Sequence, residues 1–189
     1  ENKEALEIKS AEEIENINEL KKEANAAFER ANQLSPKREE VFLGWILTNL
    51  LSENYQTAKE KAEQCVNLNP KSTYCWWKKT LAHIYLKEFE EADKAIILSG
   101  NPDSKESLSQ LHRAYRKVLE AIKDKEKNKE LYLKCYQGLA HVYEGFIAAV
   151  DKNNFQYHAS LAYIYRELGE YDKARIKALD VFELSPESK

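Results

Sequence analysis

FQYHASLAYIYRELGEYDKARIKALDVFELSP, running from Phe155 to Pro186, reads as two short amphipathic helices joined by a tight turn. Leu161, Ala162 and Tyr165 set a large, a small and a large side chain on one face; Gly169 breaks that helix and Tyr171 restarts the pattern. Ala174, Ala178 and Val181 give the second helix a close-packing face, and Pro186 stops it. Helices approach closely only where side chains are short, so alanines at helical spacing let Tyr165 and Tyr171 fill the gap as ridges enter grooves.

The same text recurs in degraded form. Ala24, Ala58 and Ala92 stand 34 residues apart, as do Ala140 and Ala174, while Pro36 and Pro70 repeat that step. Between Ala92 and Ala140 the step is 48 residues, one period plus 14, which predicts an insertion or lengthened helices there. A period of 34 is that of a helix-turn-helix repeat.

Read in order, Asn2 to Leu34 carries Ile14, Ile17, Leu20, Ala24, Phe28 and Ala31 without Gly or Pro, predicting one long amphipathic helix. Helices over Arg38–Ser52 and Tyr55–Leu68 follow, then a pair in which Ser72 caps the first helix and Trp76–Trp77 lie in its first turns. Leu47, Thr48 and Leu51 take the places of Leu161, Ala162 and Tyr165, with a turn to Ala58 two residues shorter; Leu81, Ala82 and Tyr85 repeat that shortened turn. Gly100–Asp103 is the strongest breaker, Ser104 a cap for a helix to about Ile122, and KDKEKNKE from Lys123 to Glu130 either a hairpin turn or a solvated helix end. A helix over Leu131–Val150 precedes the opening stretch.

With 189 residues, 43% hydrophobic and 32% charged, the chain predicts one domain, 1–189. It divides into a long helix and half repeat over 1–36, repeats over 37–70 and 71–102, an enlarged repeat over 103–153 and a last repeat over 154–189. No window is apolar enough to span a membrane, and the N-terminus lacks the apolar stretch of a signal peptide. The chain opens on Glu1 rather than methionine, as a mature or excised segment would, so both the cytoplasm and the extramembrane side of an envelope protein stay open. A net charge of -3 supplies no drive toward nucleic acid. Three cysteines without a Cys-x-x-Cys argue against a zinc knuckle and read as buried thiols, although Cys65 and Cys75 flank Pro70 and could be bridged in an oxidising compartment.

From about Glu23 to Pro186 the chain resembles the tetratricopeptide repeats. The resemblance implies an all-α fold: a right-handed superhelical solenoid of helix-turn-helix repeats with about nine helices, whose first helices line a concave groove for an extended peptide or a partner helix. Carried over residue by residue, that groove comprises Phe42, Trp45 and Asn49, then Trp76, Lys79, His83 and Lys87, then Ser109, Arg113, Arg116 and Lys117, and last Gln156, Tyr163 and Arg166. Such a wall, aromatic at one end and basic along the rest, suits an acidic, partly apolar segment of a partner protein. Only Asn49 matches the side-chain clamp with which some tetratricopeptide domains hold chaperone tails, since Trp45 and Gln110 stand where lysine and arginine are needed; chaperone-tail binding is not expected. The phrases FERANQLSPKREEVF, STYCWW and FQYHASLAYIYRELG are similar to the soluble tetratricopeptide tails of bacterial O-antigen ligase or polymerase-type membrane proteins.

Chemistry finds little foothold. His83, His112, His141 and His158 fall one per helix, so no pair has metal-ligand spacing, and the five glycines form neither a phosphate loop nor a nucleophile elbow. The expectation is a non-catalytic interaction scaffold without cofactor or metal. Alternatives are the envelope-protein tail and, from an aromatic content of 11%, a carbohydrate-binding helical module. The last helix is expected to pack through Ala174, Ala178, Val181 and Phe182, leaving Ile176 or Leu179 on an open edge that pairs with another copy or with further chain.

Overall fold

The structure, a computed structural model, describes residues 2–100 and 104–185, with side chains from residue 15 onward. The Asn101–Asp103 part of the breaker, the stop at Pro186, the last residues 187–189 and the side chain of Ile14 lie outside the described residues. Among those described there are nine α-helices and no strand: α1 Asn2–Leu34, α2 Glu39–Leu51, α3 Tyr55–Leu68, α4 Thr73–Tyr85, α5 Phe89–Leu98, α6 Lys105–Glu120, α7 Lys129–Gly145, α8 Phe155–Glu167 and α9 Tyr171–Leu184. No described helix is long and apolar enough to cross a membrane. The helices fall into two compact units, Glu1–Ala82 and His83–Lys189.

In the first unit α1 is continuous over 33 residues because nothing in it breaks a helix. It packs on α2, where Gly44 leaves room for the Phe28 ring, a Cβ there falling 2.8 Å from Phe28. Phe28 and Phe42 stack at 6.3 and 6.4 Å on Trp45, which is 4% exposed. The Trp45 indole N–H donates to Asn25 Oδ1 at 2.7 Å, and Asn49 Nδ2 donates to the same oxygen at 3.1 Å and to the Trp45 carbonyl at 2.9 Å. The two buried donors of this knot, the Trp45 indole N–H and the Asn49 amide, thus both have partners, as burial requires. The α3–α4 corner is held twice. Glu39 accepts from Asn69 Nδ2 at 2.7 Å and Ser72 Oγ at 2.5 Å, while Ser72 Oγ caps α4 by accepting the Cys75 N–H. Cys65 of α3 and Cys75 of α4 form a disulfide with Cα atoms 5.5 Å apart, so these two are cystine rather than buried thiols. Cys135 is a buried free thiol, its pKa pushed up to about 11 by burial.

The second unit is built around α7. Its Gly138 and Gly145, two turns apart, face α6, and a Cβ on either would fall 2.2 Å from the Tyr115 ring or 2.7 Å from Leu108. Tyr115 stacks in turn on Phe89 at 6.0 Å. The charged run resolves into both earlier readings: residues up to Asn128 make the hairpin turn, and Lys129–Glu130 already open α7. A π turn over Phe146–Val150 ends α7 and buries Phe146. Ser104 caps α6 by accepting the Ser107 N–H at 3.1 Å.

The three regular turns are equal in length, which corrects the two-residue shortening read from sequence. Three residues separate α2 from α3, α4 from α5 and α8 from α9. Each turn has one left-handed residue, Glu53 (φ 62°), Lys87 (φ 65°) and Gly169 (φ 77°). Each closes with an N–H donating five residues back, Asn54 to Asn49, Glu88 to His83 and Glu170 to Tyr165. The structural equivalents of Leu161, Ala162 and Tyr165 are therefore Trp45, Ile46 and Asn49. A slip of two positions turns a helix face by about 200°.

The last helix packs through Ala174, Ala178 and Val181, each half-buried, but Phe182 does not join them. It is 60% exposed, because it lies about 100° round the helix from Val181. Ile176 and Leu179 are exposed at 51% and 53%. From α8, His158 pins this helix: its Nδ1 lies 2.9 Å from Asp180, whose carboxyl is held below its ordinary pKa by hydrogen bonds from Lys177 and His158.

Candidate functional site

A groove of about 490 Å³ opens between α6, α7 and α8 of the second unit. Its floor is apolar and buried, made by Leu139 of α7 and Ile164 of α8. Tyrosines form its walls. Tyr136 and Tyr143 come from α7 and Tyr163 from α8, while α6 contributes His112 and Arg116 to the rim. The Tyr136 and Tyr163 hydroxyls are 3.5 Å apart, and burial with its phenolic neighbours holds Tyr136 firmly protonated. Tyr163, 46% exposed, lies beneath the Arg166 guanidinium at 4.8 Å in a cation-π contact, and that exposed guanidinium also donates to Glu167 at 3.2 Å. At the other wall the His112 ring meets Tyr143 edge to face at 5.6 Å, with Nε2 3.3 Å from the hydroxyl. Burial, then the charges of Arg116 and Arg113, push the His112 pKa below its ordinary value. The neutral ring can then accept the Tyr143 O–H.

What this arrangement can do follows from its parts. Phenols present flat apolar area and a hydroxyl at little conformational cost, and three arginines, Arg113, Arg116 and Arg166, supply donors around them. Arg116 is tied at 3.1 Å to Glu120, and Arg113 Nε reaches the Ser109 carbonyl at 3.4 Å. All three remain exposed. Among the described residues no group of His, Cys, Asp and Glu could hold a metal ion.

No protein-family model and no curated protein matches this sequence. Solved structures do. A MamA protein aligns at 16% identity with a TM-score of 0.59, covering 86% of this chain and 81% of its own. MamA from residue 41 onward, of Desulfovibrio magneticus RS-1, aligns at 15% identity and 0.55, covering 89% and 88%. YrrB, a TPR protein with an unusual peptide-binding site, aligns at 17% identity and 0.52, covering 93% of this chain and 82% of its own. The fold is of the tetratricopeptide-repeat type. At such identities the likeness carries the architecture alone.

Within that fold, the residues expected to line a concave wall divide sharply. Arg116 and Tyr163 line the groove, with Arg113 and Arg166 beside them. Lys117 is exposed on α6 and reaches toward the Tyr85 ring at 6.0 Å. Phe42, Trp45, Asn49 and His83 are corrections, since all four are buried. In the register set by the turns, Trp45 and Asn49 fall at packing positions of the repeat and His83 at the place of Tyr165, two positions from where the sequence pattern put them. His83 Nδ1 is engaged 2.6 Å from Glu88. Trp76 and Lys79 are half-buried neighbours, the lysine 5.4 Å over the indole, and the Trp76 N–H caps the Pro70 carbonyl at 2.9 Å. Lys87 is the left-handed residue of its turn. Sequence reasoning missed Tyr136, Tyr143, His112 and Ser160 as lining residues. A signal existed: one face of α7 carries tyrosine at 132, 136 and 143, where a plain packing face would carry leucine or valine.

Proposed function

We propose that this chain is a non-catalytic protein-protein interaction scaffold whose groove between α6, α7 and α8 takes an acidic, partly apolar segment of a partner. The supporting observation is the pairing of a tyrosine-walled cavity with exposed arginines, Arg116 at its rim and Arg113 and Arg166 beside it. That YrrB is a TPR protein with a peptide-binding site agrees with this use of the fold. Panning random displayed peptides against the protein should recover sequences rich in Asp, Glu and aromatic residues. Arg116→Glu and Tyr163→Ala should each weaken the recovered peptides about tenfold, roughly 1.4 kcal/mol. His112 is the internal reporter. In the free protein its imidazole should titrate below the ordinary 6.5, and carboxylates arriving at the rim should raise that midpoint, so binding tightens as pH falls from 7. Peptides with no charge preference, and indifferent to Arg116, would remove the groove from consideration. Glycans titrated in parallel that bind where peptides do not would turn the reading to a carbohydrate module.

The Cys65–Cys75 bridge favours a second reading of the chain's setting. Disulfides persist in oxidising compartments, which suits the extramembrane part of an envelope protein better than a cytosolic one.

For α9 we propose self-association through Ile176, Leu179 and Phe182, which no described helix covers. Ile176→Lys with Leu179→Glu should lower the sedimentation-derived mass at high concentration, while the unfolding midpoint moves by the equivalent of less than about 1 kcal/mol. A double variant that unfolds would make these residues core and end the idea.

A further inference from the structure

We propose that the face of α7 turned away from the tyrosine groove is a second docking surface, for a partner segment bearing a lysine or arginine among aliphatic residues. At about 100° per residue, Tyr136, Leu139 and Tyr143 lie on one side of α7, and Gly138, His141 and Gly145 on the other. Along this second side runs a cavity of about 490 Å³. Its walls are Ile96 and Ile97 of α5, Leu111 of α6 and Val142 of α7. The short helix α5 has 10 residues whereas α6 and α7 have 16 and 17, and Ile97, in its last turn, is 72% exposed.

Charge selects the occupant. The slot shares Asp93, Tyr115, Gly138 and His141 with an adjoining depression of about 360 Å³, whose lining adds Glu90, Glu144 and Glu170. The two lysines there are already engaged. Lys134 lies 3.6 Å from Glu90 and 3.3 Å from Glu130, and Lys173 lies 2.6 Å from Glu170. Glu144 accepts the Tyr165 hydroxyl. Asp93 alone of these acids makes neither an ion pair nor a hydrogen bond among the described residues. It stands where the two cavities meet, exposed on one side, and packing on the other raises its pKa against the pull of His141 and Lys134. An anionic side chain would meet four carboxylates against two lysines that are already paired. A purely apolar anchor would cover Asp93 without pairing it, which costs free energy. Lysine or arginine satisfies both regions at once, the stem against Ile97 and Val142 and the cation at Asp93.

The test uses the full chain and three labelled peptides of one leucine- and alanine-rich frame, differing only in a central lysine, norleucine or glutamate. The lysine peptide should bind at least tenfold tighter than the norleucine one, and the glutamate peptide should leave the Ile97 and His141 amides unmoved. Asp93→Asn should bring lysine and norleucine within about twofold, and Ile97→Glu should weaken both. With the lysine peptide, amide shifts should centre on Ile97 and His141, and Tyr163→Ala should leave the lysine and norleucine affinities unchanged, which separates this surface from the tyrosine groove. Equal binding of lysine and norleucine peptides, shifts centred on Tyr143 and Tyr163, or no binding by any of the three would overturn the proposal.

Discussion

Gly138→Val is expected to destabilise the second unit by about 3 kcal/mol, the upper end of what overpacking a core costs. A single Cβ at Gly138 already falls 2.2, 2.3 and 2.7 Å from three atoms of the Tyr115 ring. The ring has nowhere to go, being 2% exposed and stacked on Phe89 at 6.0 Å. Gly138→Ala should be milder, because alanine recovers up to about 1 kcal/mol of helix propensity against the clash. The cause is separable in a cycle. In a Tyr115→Ala background the clash is gone, so Gly138→Ala should become neutral or stabilising, while Tyr115→Ala alone is costly. Amide exchange in α6 and α7, with far-UV circular dichroism, reads the result. A Gly138→Ala penalty that survives removal of the ring would show that the glycine serves something other than this contact.

The same contact shows how far the sequence could be read. The 34-residue alanine ladder exposed the second helices, because alanine there is demanded by close approach and few other residues meet the demand. Ala58, Ala92 and Ala174 mark α3, α5 and α9 correctly, and two of the three are fully buried. First helices carry no such marker. In the first repeat the large-small-large triplet is Trp45, Ile46 and Asn49, and neither isoleucine nor asparagine looks like the small or the aromatic member. Leu47, Thr48 and Leu51 fitted the pattern better in size and were two positions out. The shortened turn followed from that slip, and so did the placing of Trp45 and Asn49 on an open wall. Asn49 tolerates burial because its amide donates to the Trp45 carbonyl and to Asn25, 24 residues earlier, and the second acceptor is one that sequence spacing does not reveal. In the second unit the arginines at 113, 116 and 166 were legible as a basic face. The tyrosine wall was not, because tyrosine at helical spacing is ordinarily packing, and only the meeting of α6, α7 and α8 leaves Tyr143 and Tyr163 partly open.

Reducing the Cys65–Cys75 bridge should lower the stability of the first unit by about 2.7 kcal/mol, the loop-closure entropy of a cross-link spanning 10 residues. The bridge ties α3 to α4 across the Asn69–Ser72 corner, where Glu39 already holds both Asn69 and Ser72. Those hydrogen bonds act only in the folded state. The covalent link acts on the unfolded chain, so the two contributions should be nearly additive. Tryptophan fluorescence is the right probe, because Trp45, Trp76 and Trp77 are all the tryptophans of the chain and all lie in the first unit. Urea unfolding with and without reductant should show a lower midpoint and a steeper denaturant dependence once the bridge is open, since the freed chain exposes more surface. Cys65→Ala with Cys75→Ala serves as the control. It should match or exceed the loss seen in reductant, because both side chains are fully buried and truncation adds small cavities. It should also be indifferent to reductant, leaving Cys135 without effect. A wild-type midpoint unmoved by reductant would mean that the bridge does not constrain the unfolded chain, and the support it lends to an oxidising setting would go with it.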